Sequence, residues 1–151
     1  MMMVRRLLAP IDFSPRSLAA LRYAFELAAL VGAEVDVLHV VPGPSEMRSR
    51  LDGYLGLPMP HASPESLAEA RAQLERVVET TPHGNVRVRL AVESGDAATA
   101  IVRLVVETPI DLIVMATRGH RGMAELVLGS VAHKVITCAR CPVVTLSDQP
   151  R

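Results

Sequence analysis

The sequence predicts an α/β fold in which a mostly parallel open sheet carries helices on both faces. Three observations predict it. Apolar runs of strand length alternate with longer segments whose apolar residues recur at helical spacing; the helical segments open at Ser-Pro or Gly-Asp steps; and Gly or Pro punctuates the boundaries. Strands that alternate with helices are joined by right-handed crossovers, which make neighbouring strands parallel and put helices over the sheet.

The elements follow in order. Val4 to Ile11 is a short apolar run, and Asp12-Phe13-Ser14-Pro15 then switches strand to helix, with Ser14 as cap and Pro15 in the first turn, where no hydrogen bond is lost. Leu18, Leu21, Ala24, Phe25, Ala28 and Val31 form an apolar stripe that ends at Gly32, a residue suited to a left-handed C-cap. Ala33 to Val41 reads as a buried strand rich in β-branched residues, stopped at Pro42-Gly43-Pro44. Residues 42–63 hold much of the proline and glycine without a sustained period and read as a flexible connection within one domain, with a helical turn around Met47 to Leu51.

Ser63-Pro64 repeats the first helix start, and Leu67, Ala70, Leu74, Val77 and Val78 supply the next apolar face, closing near Thr81-Pro82. Asn85 to Glu93 alternates as a strand, and Gly95-Asp96 introduces a helix carrying Ile101, Leu104 and Val105. Asp111 to Met115 is a compact apolar strand, Thr117 to Gly122 a turn, and a helix follows whose later part includes Val131, Val135 and Ile136. Cys141 to Leu146 is the final strand.

Composition limits the function. At 151 residues the chain matches one domain, residues 1–151, able to bury a core without metal or disulfide staples. The formal net charge is zero and aromatics make up 3%, so neither a basic field nor stacking platforms favour nucleic acid as a partner. Every apolar run is broken short of the ~20 residues that span a bilayer. Met1 to Phe13 reads as the first fold element rather than a signal peptide, and a cytoplasmic location is expected.

In such a sheet, ligands bind beyond the carboxyl ends of the strands, where strand order reverses. Pro10 and Asp12 follow the first strand, Val40 ends the second, and Ala116-x-x-Gly119-x9-Gly129-Ser130 follows the fourth. Gly119, Gly122 and Gly129 either admit oxygens close to the backbone, with the amides around Gly129 and Ser130 forming an anion cradle, or simply make tight turns with Ser130 as a helix cap. The segment is not a Walker A motif, because it lacks the Gly-Lys-Ser/Thr ending. Asp12 offers a carboxylate to a ribose, an adenine amino group or a phosphate-bound cation, or else organises the Ser14 turn. Pro10 and Val40 suit the walls of an apolar base pocket but also ordinary packing.

The five histidines show no zinc spacing, and no catalytic set is legible. His39 reads as packing or hydrogen bonding within a strand. His120, between Arg118 and Arg121, either meets terminal phosphates or belongs to a solvated loop. Cys138-Ala139-Arg140-Cys141 has the gap of a redox pair, but it bridges a helix end and a strand rather than starting a helix, so packing is the favoured reading.

Leu7-Leu8-Ala9-Pro10-Ile11-Asp12-Phe13-Ser14, Val37-Leu38-His39-Val40-Val41, Gly95-Asp96-Ala97, Asp111 through Gly119, Leu128-Gly129-Ser130-Val131 and Cys141-Pro142-Val143-Val144 together resemble the universal stress protein family, over essentially the whole chain. The resemblance implies a five-stranded sheet of order 3-2-1-4-5, Rossmann-like and similar to the adenine nucleotide alpha hydrolases, and a homodimer formed through the last strand. It also implies an adenine nucleotide, ATP or AMP, with Mg²⁺ or Mn²⁺ able to accompany ATP. Transferred by position, Pro10, Asp12 and Val40 would surround adenine and ribose, Met115 and Ala116 would line the pocket, and Gly119, Gly129, Ser130 and Val131 would hold the phosphates. Ala116 stands where the ATP-binding branch has the first glycine of Gly-x-x-Gly-x9-Gly-Ser/Thr.

The expected function is thus a nucleotide-binding stress-response sensor or regulator with at most weak ATP hydrolysis. Its protein partner is not legible in the sequence. A nucleotide-free homodimeric adaptor is the alternative, and a redox module built on the two cysteines a more distant one.

Overall fold

The computed structural model describes residues 3–43, 62–117 and 128–147. Along them run β1 (Arg6–Ile11), α1 (Pro15–Val31), β2 (Glu34–Pro42), α2 (Pro64–Thr80), β3 (Val88–Gly95), α3 (Ala97–Glu107), β4 (Leu112–Ala116), α4 (Ser130–Cys138) and β5 (Val143–Leu146). The five strands form one sheet in the order β3-β2-β1-β4-β5, every pair parallel. The expected α/β architecture and strand order are therefore those of the molecule.

The period of two along the strands separates the core into two layers. Leu7, Ala9 and Ile11 of β1, Val35 and Val37 of β2, and Leu112 and Val114 of β4 face α1 and α2, where they meet Leu21, Phe25, Leu74 and Val78. The alternate residues Leu8, Leu38, Ile113 and Met115 face α3 and α4, packing with Ala98, Ile101, Ala132 and Val135. Both faces of β1 and β4 are thus apolar, as central parallel strands require.

Local chemistry starts and stops the helices where the sequence indicates. The Ser14, Ser63 and Asp96 side chains accept from the backbone N–H three residues on, capping α1, α2 and α3. Gly32 takes φ 72° and its N–H reaches the Ala28 carbonyl, the left-handed stop that a Cβ would oppose.

Several boundaries differ from expectation. The third strand starts at Val88 rather than Asn85, because the Val86 N–H turns back to the His83 carbonyl, and it extends to Gly95 because β2 pairs with it as far as Pro42. The last strand starts at Val143; Cys141 lies before it, and the Pro142 carbonyl accepts from Ile113. Val31 and Ile136 are exposed, although both fall in expected apolar stripes. Each sits in the last turns of its helix, outside the packed clusters. The connection proposed for 42–63 lies, except at its ends, outside the described residues, as does the helical turn at Met47 to Leu51.

Charge ties together the amino ends of the central strands. Arg6 makes a bidentate contact with buried Asp36, Nη2 to Oδ2 at 2.7 Å, and the Asp111 carboxylate accepts from the Arg5 and Arg6 amides at 2.8 and 3.0 Å. These pairs lie at the amino ends of the strands, leaving the carboxyl ends for other chemistry.

Candidate functional site

The order β3-β2-β1-β4-β5 means that the chain winds outward from β1 in one direction to β3 and then restarts at β4 on the other side. The crevice beyond the ends of β1 and β4 is the switch point where open α/β sheets bind ligands. Pro10 is half-buried near the end of β1, with Asp12 directly after the strand, while Val40 lies in β2 and Met115 and Ala116 close β4. The β1–β2 register puts Ile11 opposite His39, one residue before Val40.

After β1 the chain turns sharply. Phe13 has φ 63°, the one positive value among the described non-glycine residues. Asp12 Oδ1 accepts from the Ser14 N–H at 3.0 Å, and the Asp12 N–H donates to Ser17 Oγ at 3.2 Å. The turn-organising reading of Asp12 is thus realised. Its Oδ1 holds the Ser14 amide, and a carboxylate offers acceptor positions on both oxygens.

Beside this turn His39 is half-buried. Its Nδ1 lies 2.9 Å from the Ile11 carbonyl oxygen, and its ring packs on Phe13 at a centroid distance of 4.2 Å. Burial lowers its pKa; the Ile11 hydrogen bond and the Asp12 charge oppose that shift without cancelling it. The strand-histidine reading is accordingly the observed one.

The other wall is tied back by backbone. Thr117, just after β4, donates its N–H and hydroxyl to the Leu146 carbonyl at 3.0 and 3.2 Å, and its own carbonyl accepts from the Gly129 N–H at 2.8 Å. That last bond returns the chain to the carboxyl end of the sheet and begins α4 there. Thr117 was not among the sequence candidates; a threonine after an apolar strand carries no signal of a bond to a residue twelve positions on.

Gly129, not Ser130, is the N-cap of α4, and Ser130 is its first helical residue. This corrects the reading of Ser130 as a cap. Unlike the starts of α1, α2 and α3, this one has no side-chain cap bond. Its first-turn amides and dipole therefore suit an anion. Gly129 has φ −61° and ψ 153°, open to any residue, so what glycine supplies here is the missing Cβ rather than a special backbone. Val131 is half-buried against the α3–α4 layer.

Ala116 is buried as the last residue of β4, paired with Leu146, and its φ is not positive. The backbone thus accommodates alanine without strain. Gly119, Gly122, Arg118, His120 and Arg121 lie outside the described residues. Cys138 is exposed in the last turn of α4 and Cys141 half-buried, both as free thiols. Burial first, and the Asp111 charge second, push the Cys141 thiol up in pKa, away from a reactive thiolate.

Among the described residues no three His, Cys, Asp or Glu side chains gather to hold a metal ion, and no helix is long and apolar enough to cross a membrane. The fold defines a doubly wound α/β protein whose switch point lies at the carboxyl ends of β1 and β4, the place where open sheets of this class bind ligands. Residues 3–147 match the universal stress protein family, and the chain belongs to that family.

Universal stress protein YxiE of Bacillus subtilis is 33% identical over 146 residues, covering 94% of this chain and 98% of that one. The solved structure of MJ0577, presented as a structure-based assignment of biochemical function, superimposes with a TM-score of 0.78 at 23% identity, covering 99% of this chain and all of that one. A universal stress protein from Archaeoglobus fulgidus in complex with dAMP gives a TM-score of 0.67 at 24% identity, over 95% of this chain and 98% of that one.

Proposed function

We propose that this universal stress protein binds an adenine nucleotide, ATP or AMP, and acts as a homodimeric, cytoplasmic stress-response sensor or regulator. The observation that carries the reading is the Gly129 to Thr117 backbone bond, which begins a helix without a side-chain cap at the carboxyl end of β4, across the switch point from Asp12. Anionic phosphates suit those amides, and the aliphatic side chains of Pro10, Val40, Met115 and Val131 suit an adenine and its surroundings. The dAMP complex of the Archaeoglobus relative supports the same ligand class.

In this reading Pro10, Asp12 and Val40 surround adenine and ribose, Met115 and Ala116 line the pocket, and Gly119, Gly129, Ser130 and Val131 hold the phosphate side. Mg²⁺ or Mn²⁺ would accompany ATP through its phosphate oxygens and screen their charge. The reading assigns no dedicated catalytic residues, so ATP hydrolysis is at most weak. Regulation then works by linkage: a nucleotide that favours one conformer or assembly shifts its population by its differential affinity.

Calorimetric titration with ATP and AMP tests the site. Saturable binding is expected, weakened about tenfold or more in Gly129→Val, whose side chain would crowd the first-turn amides. Undiminished binding by a folded Gly129→Val protein would remove the cradle.

The buried Ala116 methyl at the first motif position favours the second reading, a nucleotide-free adaptor. Sedimentation separates the two. Saturable nucleotide binding supports the sensor, whereas assembly with no nucleotide bound at any concentration supports the adaptor.

A further inference from the structure

His39 stands beside the proposed nucleotide site without being one of the residues assigned to line it. It precedes Val40 on β2 and lies in register with Ile11, the last residue of β1. Its Nδ1 is 2.9 Å from the Ile11 carbonyl oxygen. A carbonyl only accepts, so Nδ1 carries the hydrogen, and in the neutral ring Nε2 carries none.

The same ring packs on Phe13, with centroids 4.2 Å apart and planes inclined at 37°. Phe13 holds φ 63°, a left-handed conformation that sterics disfavour for any residue with a Cβ. Such a conformation persists where neighbouring contacts over-determine it. Between these two contacts lies Asp12: the carbonyl of the residue before it accepts from His39, and the ring of the residue after it rests against His39. Asp12 itself accepts from the Ser14 amide and donates its own to Ser17 Oγ, so its orientation follows that of the turn.

We propose that His39 is a positioning residue for nucleotide binding, holding the Phe13 turn chiefly through its hydrogen bond to the Ile11 carbonyl, with the ring against Phe13 as a lesser brace, so that Asp12 is presented to the ligand. The inference rests on the nucleotide reading above for its ligand and on the turn geometry for its mechanism. His39 acts through Ile11 and Phe13 and need not touch the nucleotide.

Two variants separate the parts. His39→Asn keeps a donor, because its Nδ2 occupies the place of Nδ1; His39→Phe keeps the ring and loses the donor. Each is studied as the full chain, with its folding verified by thermal melting, by amide exchange at Ser14 without nucleotide and by calorimetric titration with ATP and AMP. In His39→Phe the Ser14 amide should exchange about three- to tenfold faster and nucleotide affinity should fall by a similar factor, the scale of one hydrogen bond. His39→Asn should recover most of both.

Unchanged Ser14 exchange in folded His39→Phe would overturn the proposal, as would a His39→Asn protein no better than His39→Phe in exchange and affinity. Undiminished nucleotide affinity despite faster exchange would overturn the link to binding. If the parent protein binds neither ATP nor AMP, the nucleotide reading fails and the proposed binding role with it, while Ser14 exchange still decides whether His39 holds the turn.

Discussion

Phe13 and Ser14 show how individual residues set the site. A phenylalanine at φ 63° costs about 1–2 kcal/mol in backbone sterics, and the contacts on either side must offset it. One of them is the Ser14 cap, whose Oγ accepts from the Ser17 N–H at 3.2 Å with both serines buried. Ser14→Ala should therefore lower unfolding stability by about 1–2 kcal/mol, measured by urea denaturation, because it leaves a buried N–H without that partner. His39 contributes a pH dependence of definite sign. Burial depresses its folded-state pKa below the usual histidine value, so the unfolded chain binds more protons in that range. Stability attributable to it is complete above about pH 6.5 and declines as pH falls through the folded-state value. Urea midpoints compared between the parent and His39→Asn should show a shallower acid-side decline in the variant; identical slopes would mean that His39 titrates alike in both states.

Elements translate such local choices into packing. Leu74 of α2 is fully buried in the core layer over β2 and β3, whereas Leu30 of α1 is 84% exposed. Leu74→Ala should cost about 2–5 kcal/mol and Leu30→Ala less than about 0.5 kcal/mol, both read from denaturant unfolding. The start of α3 is tied to α4, since the Asp96 carboxylate accepts from Thr99 and from Lys134 Nζ at 3.0 Å. The Thr99 hydrogen bond foremost, then Lys134, holds the Asp96 pKa below its ordinary value. Its contribution is present above the unfolded-state value near about pH 4 and is lost as pH falls toward the folded-state one. Asp96→Asn should flatten that part of the acid limb, by little, because the pair is exposed and screened by salt. Most of these elements were legible in the sequence, since Ser-Pro, Gly-Asp and the Gly32 stop are local signals acting within one turn. The start of β3 was not, because Val86 alternates correctly as a strand residue while a turn bond to His83 claims its amide.

At the scale of the whole molecule, β5 bears on assembly. It is an edge strand, paired on one side with β4, and its four residues are all partly exposed. An edge that no other strand covers among the described residues suits a second copy, and analytical ultracentrifugation should find a dimer; a mass that stays monomeric across concentration would rule that assembly out. The site itself was only partly readable. Pro10, Asp12, Val40 and Ala116 could be named as candidates because strand ends are visible as breaks in apolar runs, and Met115 through the family resemblance, but Thr117 and His39 bond to partners 29 and 28 positions away, and no local pattern records such contacts. The sequence by itself determined the α/β class, the starts of the first three helices and which residues are apolar enough for two core layers, because those depend on side-chain periodicity and hydrogen bonds within a turn. Tertiary structure alone decided that Gly129 starts the fourth described helix beside β4, that Ala116 lies in unstrained strand backbone, and that one imidazole braces the turn carrying Asp12. Each of those depends on two distant segments meeting across a parallel sheet, where register rather than composition sets which atoms come within hydrogen-bonding distance.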